Sequence, residues 1–132
     1  MSERLRSLHR ILAVQAQRKR LAEWALAAAE TRKAAVGLER TELRGFVEAE
    51  NLTGPLAGLA LEQTRRLAER DAEAGRDVGR QRDALQAAER RHRLAERLTE
   101  AVAAENRIVA ERRSLEQLIE DAVARDQPDA SR

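Results

Sequence analysis

Few residues in this chain could do chemistry. His9 and His92 are the only imidazoles in 132 residues, and there is no cysteine. Cysteine-based metal sites and disulfide staples are therefore excluded, and a reducing compartment is allowed. A two-histidine site falls short of the three or four ligands that a protein metal site takes. Both histidines read as solvated surface groups. No Gly-rich phosphate loop, HExxH helix or nucleophile elbow occurs. Carboxylates are plentiful, but paired acids need a concave, dry pocket to shift their pKa values. The expectation is a chain with no catalytic, metal or cofactor residues, not an enzyme.

Two basic runs, Arg18-Lys19-Arg20 and Arg90-Arg91-His92-Arg93, could contact phosphates. Consecutive residues point all around a helix, so neither run makes a one-sided patch. No aromatic side chain sits among them to stack on bases. The net charge is only +2, and 23 of the 25 basic residues are arginine. Arginine lifts the isoelectric point to about 9.9 without a strongly cationic surface, so no direct nucleic-acid partner is expected. The polar cluster Glu105-Asn106-Arg107 reads either as ordinary surface or as a contact site.

The elements that carry these residues are helices. Charged residues make up 36% of the chain and aromatics 2%, with Trp24 and Phe46 the whole aromatic set. Ala, Leu, Glu and Arg dominate, and all favour helix. The strongest punctuation is Asn51-Leu52-Thr53-Gly54-Pro55, where a tight reversal is expected. The spacing predicts helix 1 over about 3–50, a turn over about 51–55, helix 2 over about 56–126, ended by Pro128, and a polar tail over 127–132. Gly75 and Gly79 mark a weak point in helix 2, with a three-helix bundle as the structural alternative.

Apolar residues recur in a 3-4 alternation. In helix 1 the stripe is Leu5, Leu8, Leu12, Ala22, Leu26, Ala29, Val36, Leu43 and Val47, interrupted by Gln15, Lys19, Lys33 and Arg40. In helix 2 it is a sparser Leu67, Ala74, Val78 and Leu85, then Leu94, Leu98, Ala101, Ile108, Leu115, Ile119 and Ala122, broken by Glu105 and Arg112. Two such helices joined by a short turn pack antiparallel. The predicted fold is all-α, a single coiled-coil rod over residues 1–132. It is an antiparallel two-helix hairpin whose C-terminal helix is longer and overhangs. A turn near Thr53 pairs residues whose numbers sum to about 106, setting Leu5 near Ala101 and Leu43 near Gln63. The overhang from about Ala104 keeps Ile108, Leu115, Leu118 and Ile119 uncovered, and an uncovered apolar stripe needs a partner.

Charge is uneven along the chain. Residues 1–20 carry a net +5, residues 90–113 a net +3 and residues 41–73 a net −3. The fold-back expectation is a basic end holding both termini and an acidic turn end. No apolar run reaches the roughly 20 residues that span a bilayer. The N-terminal residues lead into no apolar signal core, so a cytoplasmic chain is expected.

At the C-terminal block the chain resembles the FliJ family and its YscO-type injectisome relatives. The residues that carry the likeness are Arg93-Leu94, Leu98, Ala104-Glu105-Asn106-Arg107, Glu111, Leu115-Glu116 and Arg125, with Leu5, Leu8, Leu12, Gln15, Ala22 and Glu23 in the opening helix. The resemblance implies a component of the type III (flagellar) protein export apparatus, similar to the central stalk of rotary ATPases. It implies that the end with both termini binds and stimulates the hexameric export ATPase, with Arg10, Arg97, Asn106, Arg107 and Arg113 as contacts. It implies that the turn end, with Leu43, Phe46, Val47 and Leu52, reaches the cytoplasmic domain of the export-gate protein. Export chaperones are further partners so implied, and membrane association would come only through partners, at the inner membrane. Two other readings stay open on the residues alone: a coiled-coil adaptor or homodimeric scaffold, and a nucleic-acid-associated helical protein.

Overall fold

The computed structural model describes residues 2–126. Two helices account for nearly all of them: α1, Glu3–Glu50, and α2, Pro55–Asp126. They pack against each other as a helical hairpin, as the apolar spacing predicts. The polar tail expected over 127–132, including Pro128, lies outside the described residues.

The turn is built by residue type. Asn51 takes a left-handed φ of 47° and so ends α1, a conformation asparagine tolerates better than most side chains. Gly54, at φ 65°, leads into α2, and its carbonyl accepts the first helical bond from Gly58 N at 3.3 Å. Pro55 then fills the first helical position, where its missing N–H costs nothing. Gly75 and Gly79 do not break α2, which runs through them, and the three-helix alternative is set aside.

Packing divides into two compact units. Unit 1 joins Ser2 and residues 3–14 of α1 to residues 93–126 of α2; unit 2 holds Gln15–His92. In unit 2 the α1 seam follows the predicted stripe, with Ala29 and Val36 buried and Ala22, Leu26, Leu43 and Val47 half-buried. Its α2 partners are Leu67, Val78 and Ala88, all buried, with Ala74 and Leu85 half-buried. Polar residues share this seam. Arg40 Nη1 lies 2.7 Å from Asp71 Oδ2, and Lys33 Nζ lies 3.9 Å from Asp71 Oδ1. Gln15 Oε1 is buried with no hydrogen-bond partner among the described residues.

In unit 1, Leu5, Leu8 and Leu12 are half-buried against Ala95, Thr99 and Val102, which are buried. Thr99 is tolerated there because its hydroxyl donates to the Ala95 carbonyl at 2.7 Å. This seam corrects one expectation. Leu94, Leu98 and Ala101 do not face α1; all three are exposed. The 4-3 alternation that starts at Leu67 arrives at Ala88, Ala95, Val102 and Asn106, and small residues let the two backbones approach. The larger leucines therefore lie on another side of α2. The core is thin, with Leu67 the one leucine among its buried hydrophobics.

The register is close to the expected one. Arg4–Glu105, Arg32–Asp77 and Glu39–Arg70 bridge the helices, and each pair of numbers sums to 109. Other pairs across the helices sum to between 104, for Lys33–Asp71, and 112, for Glu30–Arg82, a range that includes the expected value of about 106. Cover by α1 ends at Asn106 rather than Ala104, and every residue from 107 to 126 is exposed.

Candidate interaction sites

Unit 1 is organised around the start of α1. Ser2 caps that helix: its Oγ accepts from Leu5 N at 3.1 Å, and its carbonyl accepts from Arg6 N at 3.1 Å. Asn106 Nδ2 donates to the same Ser2 Oγ at 3.0 Å. Beside it, Arg4 Nη1 comes within 4.0 Å of Glu105 Oε2. Of the cluster Glu105-Asn106-Arg107, two members thus hold the hairpin together, and Arg107 is left exposed.

The candidate contact residues fall in different settings. Arg107 and Arg113 line an open groove just past the cap, floored by Leu5, Ala103, Val109 and Ala110. Asn106 lines it too, half-buried, with its amide engaged by Ser2. Arg10 is exposed and donates from Nη2 to Ser7 Oγ at 3.1 Å. Arg97 is exposed on α2. Beyond the groove the overhang carries Ile108, Leu115, Leu118, Ile119 and Val123, each more than half exposed.

At the turn end of unit 2, only part of the expected apolar set is available. Leu43 and Val47 are half-buried and line a cleft with Arg40, Thr64 and Leu67. Leu52 is half-buried in the turn, and Phe46 stands exposed. The opening of α2 adds Leu56, Leu59 and Leu61, all exposed, which the sequence reading did not single out. Their signal was the closely spaced leucines straight after Pro55. Negative charge accumulates here as well. Glu48 and Glu50 lie near the C-terminus of α1, whose last turn holds no basic residue to offset the helix dipole.

Further along unit 2 is an exposed charge network. Glu73 Oε1 accepts from Arg80 at 3.0 Å, and its Oε2 accepts from Arg76 at 2.8 and 3.1 Å. These bonds, that from Arg80 first, hold the Glu73 carboxyl below its ordinary value. Asp77 is held low by the hydrogen bond from Arg32 at 2.9 Å, then by Gln81. The Arg80 guanidinium is raised by its bond to Glu73.

Comparison with family models, with curated proteins and with solved structures found no match. Among the described residues there is no group of three or more side chains able to hold a metal ion. No helix among them is long and apolar enough to cross a membrane. What the chain offers is surface: an exposed leucine and isoleucine face with arginines in unit 1, and an acidic, leucine-bearing turn end in unit 2.

Proposed function

We propose that this chain is a central-stalk-like component of a type III protein export apparatus, of the FliJ kind. Unit 1 engages the hexameric export ATPase and stimulates it. The turn end of unit 2 contacts the cytoplasmic domain of the export-gate protein, through Phe46 and Leu52 with Leu56 and Leu59 beside them.

One observation carries the reading. Twenty residues of α2, 107–126, continue past the cap of α1 with no cover while keeping a hydrophobic face. A helix of that length is ~30 Å long. Holding such a face in water is unfavourable unless something binds it. Arg107 and Arg113 at its base supply charge for orienting that contact.

The mechanism is allosteric. A single asymmetric helix pair in a six-fold ring cannot touch all subunits alike. It biases their conformations by differential contact energy, and couplings of this kind are typically about 1–3 kcal/mol. Charge reversal at Arg97 and Arg107 tests the reading. The expected outcome is loss of ATPase stimulation with far-UV helicity intact. Full stimulation by the variant removes both residues from the contact.

A coiled-coil scaffold that pairs with itself is the second reading, favoured by the exposed Leu94 and Leu98. It requires a dimer in the isolated chain, which sedimentation detects.

A further inference from the structure

In unit 2, the side of α1 turned away from α2 carries a band without charge. Leu21, Trp24, Ala28, Thr31, Ala35 and Leu38 follow a 3-4 alternation of their own, offset from the seam that faces α2. All six are exposed, Leu21 at 52%, Trp24 at 67% and Leu38 at 61%. Ala27 and Ala34 beside them are exposed too. The hydroxyl on the band is already bonded, since Thr31 Oγ1 donates to the Ala27 carbonyl at 2.9 Å. Four charged residues fall within 21–38, and three of them reach across to α2: Glu30 to Arg82, Arg32 to Asp77 and Lys33 to Asp71. The fourth, Glu23, stands seven residues before Glu30 and so on the same side of the helix. In a chain that is 36% charged, ~26 Å of helix surface is thus left apolar.

The two ends of this band carry opposite charge. Before it stand Arg18 and Arg20, and beyond it Glu39 and Glu42, all four exposed. Glu39 uses Oε2 for Arg70 at 3.1 Å, yet its side chain stays 47% exposed. The cations near the acidic end point elsewhere. Arg40 donates to Asp71, and Arg44 lines the cleft with Leu43 and Thr64 on the α2 side.

We propose that this band docks a second copy of the chain, α1 against α1 in the antiparallel sense. A basic–apolar–acidic pattern is complemented by its own reverse, and a two-fold rotation supplies that reverse. Arg18 and Arg20 of each copy then lie beside Glu39 and Glu42 of the other. Setting Arg18 opposite Glu39 brings Leu21 opposite Leu38 and Trp24 opposite Ala35, a large ring over a small side chain. A parallel pair sets arginine on arginine and glutamate on glutamate, and like charges across a seam repel. The inference goes beyond the export reading and uses none of the residues of either contact proposed there. It also differs from self-pairing through Leu94 and Leu98, which belong to unit 1.

Trp24 is the sole tryptophan, so its fluorescence reports on this face directly. Sedimentation equilibrium of the full chain should show monomer and dimer in exchange, with Trp24 emission moving to shorter wavelength as dimer forms. Leu21→Glu should leave a monomer whose Trp24 emission is that of a water-exposed indole at every concentration. Arg18→Glu should weaken dimerisation about tenfold, because two attractive contacts become repulsive. Adding Glu39→Arg should restore it, since the exchanged charges meet only across an antiparallel pair; the bond to Arg70 given up in that variant is an exposed one and worth little. All three positions are exposed, so circular dichroism should report unchanged helicity. A chain that stays monomeric, a dimer that survives Leu21→Glu, or no recovery in the Arg18→Glu/Glu39→Arg variant overturns the proposal. So does a dimer that forms without any change in Trp24 emission and is dissolved by Leu98→Glu, because the copies then meet through unit 1.

Discussion

Asn106 and Ser2 are 104 positions apart in sequence and joined by a 3.0 Å hydrogen bond that fixes where α1 begins. The Ser2 hydroxyl serves two donors at once, Leu5 N and the Asn106 amide. A helix start so anchored leaves α2 uncovered from one defined residue onward.

Removing the cap should therefore loosen unit 1. Ser2→Ala should cost about 1 kcal/mol, the usual worth of an N-cap side chain. Asn106→Ala should cost roughly 0.5–1 kcal/mol, the worth of one hydrogen bond. The double variant should lose less than the two single losses added, because both act through one oxygen. Thermal unfolding followed by circular dichroism decides this. Strict additivity would mean the two residues act independently.

Asp71 should show opposite signs for two kinds of substitution. It faces Arg40 and Lys33 across the seam of unit 2 and is itself only 23% exposed at the side chain. Asp71→Ala strands two cations on a half-buried seam and should destabilise by about 1–2 kcal/mol. Leucine at 40 and 71 together should raise the unfolding temperature, because apolar groups on the seam replace a part-buried ion pair. Chemical denaturation of the two variants gives the comparison.

Acid should weaken unit 2. Glu73 and Asp77 both have folded pKa values below their ordinary ones, each chiefly through an arginine hydrogen bond. A carboxylate depressed in the folded state stabilises above its unfolded pKa, and that contribution is lost as pH falls through the folded value. The unfolding temperature should thus hold from neutral pH down to about 4.5 and then fall. Glu73→Gln should flatten part of that acid limb. The network is exposed, so the effect should shrink in high salt.

The turn should accept glycine at position 51 and favour it over alanine at position 54. Gly54→Ala places a side chain at φ 65° and should cost about 1 kcal/mol. Asn51→Gly, at φ 47°, should be neutral or stabilising by a few tenths of a kcal/mol. Unfolding midpoints of the two variants in denaturant check the pair.

Much of this architecture was legible in the residues. The Asn51–Pro55 punctuation located the turn because each residue there has a backbone reason for its place. The α1 stripe from Leu5 to Val47 was readable because large side chains mark its seam. The second half of α2 was misread for the converse reason. Leu94 and Leu98 outrank Ala95, Thr99 and Val102 in hydrophobicity, but close helix approach selects the small residues. Extending the alternation unbroken from Leu67 would have found them. Among the candidate contacts, the role of Asn106 at the cap was hidden because it depends on a partner over a hundred residues away. The split at the turn end, with Leu43 and Val47 half-buried and Phe46 exposed, was carried by the same 3-4 alternation.

The most direct test of the central proposal is hydrogen exchange of the full chain with and without a hexameric export ATPase. In the free chain, amides of residues 107–126 should exchange faster than those of residues 67–106, because α1 covers only the latter. Adding the ATPase should slow exchange across 107–126 more than anywhere else in the chain. Unchanged exchange across 107–126 with a saturating amount of the enzyme would contradict the account.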